Sequence, residues 1–274
     1  MSRDRRFGVS DAVVILSLIL ASLIFIEPAA AASMTLVPAE GLGAPLGATH
    51  AKGAIVWSHG RSVDAEDSLT PTPAFIRDMH AAGWDILRFN RLRVGDTLPA
   101  SSAVLAGIAN ELRTAGYRRV VLAGHSFGGF LSLIASTHTD AVDAVIAMAP
   151  AAWGNAIDNP DTYRLNATRL FDLLGRVRHA RVALAFFNGD IFDPGGRGEV
   201  STHLLAARGL PYLVIDRPDG LVSHWATNAP AFEQRFGSCL EAFAEDDAAR
   251  GALDCRALTA TPPAMVHTEM GAAG

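Results

Sequence analysis

Short apolar runs alternate along this chain with segments whose apolar residues recur at helical spacing. Ala54 to Ser58 reads as a strand, and Thr72-Pro73 then opens a helix with Phe75, Ile76 and Met79 on its apolar face and Gly83 at its end. Trp84 to Phe89 reads as the next strand. Ser102 is expected to cap a helix carrying Val104, Leu105, Ile108 and Leu112, closed by Gly116. Further strands are expected at Val120 to Ala123, Val142 to Met148, Val182 to Phe187 and Tyr212 to Ile215. Helical spacing recurs after Ser126, across Leu165 to Leu174, and from Glu199 to Ala207 with Gly209 behind it. A last amphipathic helix carries Phe232, Phe236, Leu240 and Phe243, read as core contacts. Strands alternating with helices imply a mostly parallel sheet covered on both faces, in one domain over residues 33–258. The segment 151–178 is too short for a large cap domain.

The two ends read differently. Arg3, Arg5 and Arg6 precede an apolar run from Ala12 to Ile26, and Ala30-Ala31-Ala32 follows, so residues 1–32 have the build of a signal peptide. The run is shorter than the roughly 20 residues of a spanning helix, so export is expected, with no stable membrane span after cleavage. An uncleaved anchor is the alternative. Residues 259–274 lack periodicity and read as a frayed tail. A net charge of -5 offers nucleic acid no basic footprint. Cys239 and Cys255 are expected to pair in an oxidising compartment, closing a short loop worth roughly 3 kcal/mol. No Cys or His stands beside them at ligand spacing, so no metal is expected.

The chemistry centres on Val120 to Gly129. Gly124-His125-Ser126-Phe127-Gly128 is a G-x-S-x-G nucleophile elbow, placed between a buried-strand pattern and a helix pattern. Glycines are needed there because neighbouring backbone leaves no room for side chains. A serine alcohol is a weak nucleophile, so it needs a base and the base needs an orienting acid. His224, in a loop after the last strand, is the expected base, and His125 is expected to point away from the serine. Asp190 and Asp193 both follow the strand Val182 to Phe187. Asp193, standing further out, is taken as the acid, and Asp190 as a cap of the Gly189 turn. The oxyanion hole is expected from the backbone N–H groups of Phe127 and of Arg61, which follows His59-Gly60. Arg91 and Arg93 are candidate contacts for an anionic part of the substrate, against the plainer reading that they pair with nearby surface acids.

On these residues (His59-Gly60, the elbow, Gly189 to Pro194 and His224) the chain resembles the α/β-hydrolase superfamily, in its cap-less serine esterase or dienelactone-hydrolase-like form. The resemblance implies an eight-stranded, mostly parallel sheet and hydrolysis of small-molecule carboxylic esters through an acyl-serine intermediate, with no cofactor. Serine in place of the cysteine of dienelactone hydrolases proper points to ordinary esters. A peptidase or amidase of the same fold, and a catalytically silent binding protein on this scaffold, are the alternatives.

Overall fold

The computed structural model describes residues 34–259, apart from residues 63, 156 and 194. The expected signal segment, and all of the expected tail but Thr259, lie outside them. Seven strands form one sheet in the order β1-β3-β2-β4-β5-β6-β7. They are β1 (Met34–Pro38), β2 (Ala54–Ser58), β3 (Asp85–Arg91), β4 (Val120–His125), β5 (Ala144–Met148), β6 (Arg181–Phe186) and β7 (Tyr212–Asp216). All neighbours pair in parallel except β1, which runs antiparallel along β3 with Met34 opposite Arg91. Among the described residues the sheet has one strand fewer than the eight expected, and β1 is the edge strand that the sequence pattern did not show.

Both faces are covered, as the near-continuous apolar strands require. On one face lie α2 (Leu98–Thr114), α3 (Phe127–His138), α4 (Pro160–Leu174) and α5 (Arg197–Ala207), meeting Val56, Leu122, Val145 and Leu184. The other face holds α1 (Ala74–Arg77) and α6 (Pro230–Glu245), which bury Phe75, Phe232 and Phe243 against Ile55, Val121 and Ile146. Strand residues thus alternate between two cores, as the period-two geometry of a strand dictates. In α6, Phe232, Leu240 and Phe243 are fully buried, while Phe236 is only partly so. Cys239 of α6 and Cys255, which opens α7 (Cys255–Thr259), form a disulfide with Cα atoms 5.1 Å apart. No described helix is long and apolar enough to cross a membrane.

Two helix starts differ from expectation. Thr72 does not cap α1: its hydroxyl donates to Glu40 Oε2, tying two loops together. Helix α2 begins a turn before Ser102, at the cap Thr97, whose side chain accepts from the N–H of Ala100. Pro99 in the first turn costs nothing there, because its missing N–H has no partner to lose. Ser102 sits inside the helix and donates to the carbonyl of Leu98.

This topology fixes where a site can form. From β2 the chain goes to β3 on one side, then crosses to β4 on the other, so loops leave the carboxyl ends of β2 and β4 in opposite directions. Ser58 and Gly124 lie opposite each other at this point. A crevice opens at such a switch point in open α/β sheets.

Candidate active site

The elbow is built by close backbone contact. Ser126 has φ 54 and ψ -121, a region that a side-chain-bearing residue occupies only under constraint. Its N–H donates to the carbonyl of Met148 at 2.9 Å, and its own carbonyl accepts from the N–H groups of Phe130 and Ala151. A Cβ on Gly128 would stand 2.0 Å from the carbonyl oxygen of Ser58, and one on Gly124 would stand 2.4 Å from the backbone of Gly128. Both elbow glycines are therefore steric necessities, and β2, β4 and α3 converge on the serine. Helix α3 starts at Phe127 and directs the positive end of its dipole at this point.

His224 is held from three directions. The N–H of Ser223, at φ 93, donates to the carbonyl of Asn188, and Asn188 and Val222 form a parallel bridge. This bridge joins the loop after β6 to the loop after β7. Below the ring, His125 Nε2 donates to the carbonyl of His224 at 2.8 Å, with the two ring centroids 4.7 Å apart. His125 thus packs against the candidate base. Burial, and then the nearby His224, push the His125 pKa down to about 3, so it stays a neutral donor. The residue pattern carried no signal for this role.

The carboxylate that reaches His224 is Asp190, not Asp193. Both carboxylate oxygens of Asp190 lie 2.9 Å from His224 Nδ1. Gly189, at φ 67, turns the chain directly after the Asn188 bridge and delivers Asp190 under the imidazole; Asp190 Oδ1 also accepts from the N–H of Phe192. Asp193 turns the other way. Its Oδ1 takes Arg197 Nε at 2.9 Å and the N–H of Gly195, while Arg197 Nη2 reaches the carbonyl of Pro150. Asp193 therefore braces the loop that carries Asp190. With Nδ1–H given to Asp190, His224 keeps its Nε2 lone pair free to accept a proton.

The loop after β2 is fixed by a buried arginine. Arg91 is fully buried; its Nε donates to Asp96 at 3.1 and 3.2 Å, and its Nη2 donates to the carbonyl of His59 at 2.6 Å. His59 Nε2 accepts from the N–H of Arg91, and His59 Nδ1 donates to the carbonyl of Gly60 at 2.6 Å. Burial, and then Arg91, hold the His59 pKa down at about 3. A trans peptide sets C=O and N–H in opposite directions, so fixing the Gly60 carbonyl also fixes the N–H of Arg61. A Cβ on Gly60 would lie 3.5 Å from Ser126 Cβ, which places this peptide beside the serine. Arg91 is thus buried structure, neither the candidate substrate contact nor a surface pair. The strand ends at Arg91 and the chain turns at once, so Arg93 does not continue on the same face; its N–H donates to Glu66 Oε2.

A cavity of about 360 Å³ opens on Ser126 and His224, walled by Phe127, Trp153, Phe192 and Trp225, with Arg61 at its edge. A larger and more open groove, about 600 Å³, lies between α2 and α3 and holds none of the elbow residues. Among the described residues no cluster of His, Cys, Asp or Glu is arranged to hold a metal.

No protein-family model matches the chain, and no curated protein sequence matches it. Solved structures do. The acylaminoacyl peptidase of Pyrococcus horikoshii superposes with a TM-score of 0.58 at 17% identity, over 78% of this chain and 40% of its own. A puromycin-hydrolyzing peptidase of Mycobacterium tuberculosis gives 0.52 at 18%, over 77% of this chain and 37% of its own. The chain thus spans about two fifths of the length of these peptidases. A monoacylglycerol lipase of Paleococcus ferrophilus gives 0.54 at 14%, over 77% of this chain and 97% of its own.

Proposed function

We propose that this chain, which has the α/β-hydrolase fold, is a serine hydrolase that cleaves carboxylic esters through an acyl-serine intermediate. The observation that carries the reading is the Asp190–His224 pair closing on the same cavity as the strained Ser126. Ser126 Oγ attacks the acyl carbon as His224 Nε2 takes its proton. The N–H groups of Phe127 and Arg61 receive the oxyanion, and Asp190 stabilises the imidazolium that forms. Collapse of the tetrahedral intermediate returns the proton to the leaving alcohol. Water, activated by the same histidine, then frees the acid.

The aromatic walls support an apolar acyl or alkyl group as the occupant. Two of the similar structures are peptidases, which keeps a peptidase or amidase as the second reading. The joined cysteines support export to an oxidising compartment, the expectation carried by residues 1–32. Kinetics on a matched series of esters and acyl-amides separate the two readings: the ester reading expects kcat/KM to favour esters by far more than their intrinsic reactivity. Ser126→Ala is expected to lower kcat by roughly 10⁴ or more on either series. Turnover near the native value in that variant overturns both.

A further inference from the structure

Among the described residues lining the cavity the one arginine is Arg61. Its Nε is buried and has no hydrogen-bond partner among the described residues, and the side chain is 17% exposed. Its guanidinium carbon lies 4.5 Å from the Trp153 ring centroid and 5.7 Å from that of Phe127, both walls of the cavity. The nearest paired acid is Asp96, with Oδ2 at 3.8 Å. Asp96 is already committed, at 3.1 and 3.2 Å to Arg91 Nε and at 2.6 Å to Ser101 Oγ. Two guanidinium groups thus face one carboxylate, and Arg91 has the better share of it. Among the described residues lining the cavity the only acid is Asp158, which is exposed and accepts from Asn155 Nδ2 at 2.8 Å.

A guanidinium stacked on an indole is held in place before any ligand arrives, so it loses little freedom when it binds one. Its planar fork matches a carboxylate, and partial burial strengthens the charge-assisted bonds. We propose that the Arg61 side chain is a carboxylate subsite and that the favoured substrates are ester acids, such as half-esters of short dicarboxylic acids. The free carboxylate seats on Arg61 while the scissile carbonyl lies at Ser126. This rests on the serine-hydrolase reading and narrows its substrate class. Arg61 then has two separate functions, its backbone N–H toward the oxyanion and its side chain toward the far end of the substrate.

The test compares 4-nitrophenyl hydrogen adipate with neutral 4-nitrophenyl heptanoate, using the Ser126→Ala protein as the blank. The ratio of their kcat/KM values is expected to fall at least tenfold in Arg61→Met and to be partly restored in Arg61→Lys. Reading a ratio removes any loss common to both substrates, such as a disturbed backbone N–H. An unchanged ratio overturns the subsite. Calorimetric titration of adipate into the Ser126→Ala protein keeps the question independent of turnover. Saturable binding that disappears in the Ser126→Ala, Arg61→Met double variant supports the subsite even where no ester is cleaved, and absence of binding overturns it. Absence of cleavage with adipate still bound counts against the serine-hydrolase reading alone.

Discussion

The elbow and the acid loop are both parts of one candidate site, yet their residues are selected in opposite ways. At the elbow the constraint is local. Gly124 and Gly128 are dictated by backbone atoms of the same turn and of β2, within one strand–helix unit. In the acid loop the constraint is remote. Asp190 and Asp193 stand three residues apart on one loop, and what separates them is a bridge to Val222 and a bond to His224, 34 residues away. Steric rules of a turn are written in adjacent residues. The choice between two carboxylates is written in which of them a second loop reaches.

The same contrast explains how far the sequence could be read. The elbow, the parallel strands and the two-sided core follow from periodicity and glycine placement, and β2 and β4 fall where the apolar runs put them. Cys239 and Cys255 pair, as expected. Strand β1 was missed because its alternation over Met34–Pro38 is short and its partner, β3, lies far along the chain. Arg91 was misread because an arginine at a strand end looks solvent-facing until Asp96 and the carbonyl of His59 are seen to enclose it. His125 sits in a motif position, but its bond to the carbonyl of His224 crosses 99 residues. Local rules located Ser126 and its turn, and only tertiary contacts show which carboxylate reaches His224.

The largest expected effect breaks the local side of the comparison. Gly128→Ala drives a Cβ into the carbonyl oxygen of Ser58, a backbone atom that cannot rotate away. Overpacking of this kind costs at least about 2 kcal/mol, and here it also displaces the serine. Denaturant unfolding and ester turnover should both fall sharply, whereas Gly107→Ala, whose Cβ would meet nothing within 4 Å, should leave both intact. A native-like Gly128→Ala protein would remove the steric account.

Arg91→Met sharpens the remote side. It leaves Asp96 buried without its strongest partner, a loss of about 3–5 kcal/mol for a broken buried pair, and releases the carbonyl of His59. In whatever fraction folds, kcat should drop while KM changes little, because the peptide preceding Arg61 loses its anchor. A KM rise specific to anionic esters, with kcat intact, would return Arg91 to the role of substrate contact.

A smaller effect comes from the two buried histidines. His59 and His125 have pKa values of about 3 in the folded chain, against about 6.5 when unfolded. Between those values the unfolded state binds more protons, so acid favours unfolding. Each histidine should remove up to about 1.4 kcal/mol of stability per pH unit as pH falls from about 6.5 toward 3. The stabilisation is complete above about 6.5. Urea unfolding at stepped pH should show His125→Gln with a shallower acid slope than the native chain. Identical slopes would mean that His125 protonates without cost.

The central claim is that Asp190, and not its neighbour, orients His224 for Ser126. The direct measurement is the rate at which a fluorophosphonate labels Ser126, per folded molecule, in the native protein, in Asp190→Asn and in Asp193→Asn. Asparagine cannot hold the imidazole in the tautomer that leaves Nε2 free, and loss of that function is worth roughly 10³–10⁴ in rate. Asp190→Asn is therefore expected to label slower by that order, and Asp193→Asn within about tenfold of native, its loss appearing as lowered stability through Arg197. The reverse ranking, with Asp193→Asn silent and Asp190→Asn labelled at the native rate, would contradict the account.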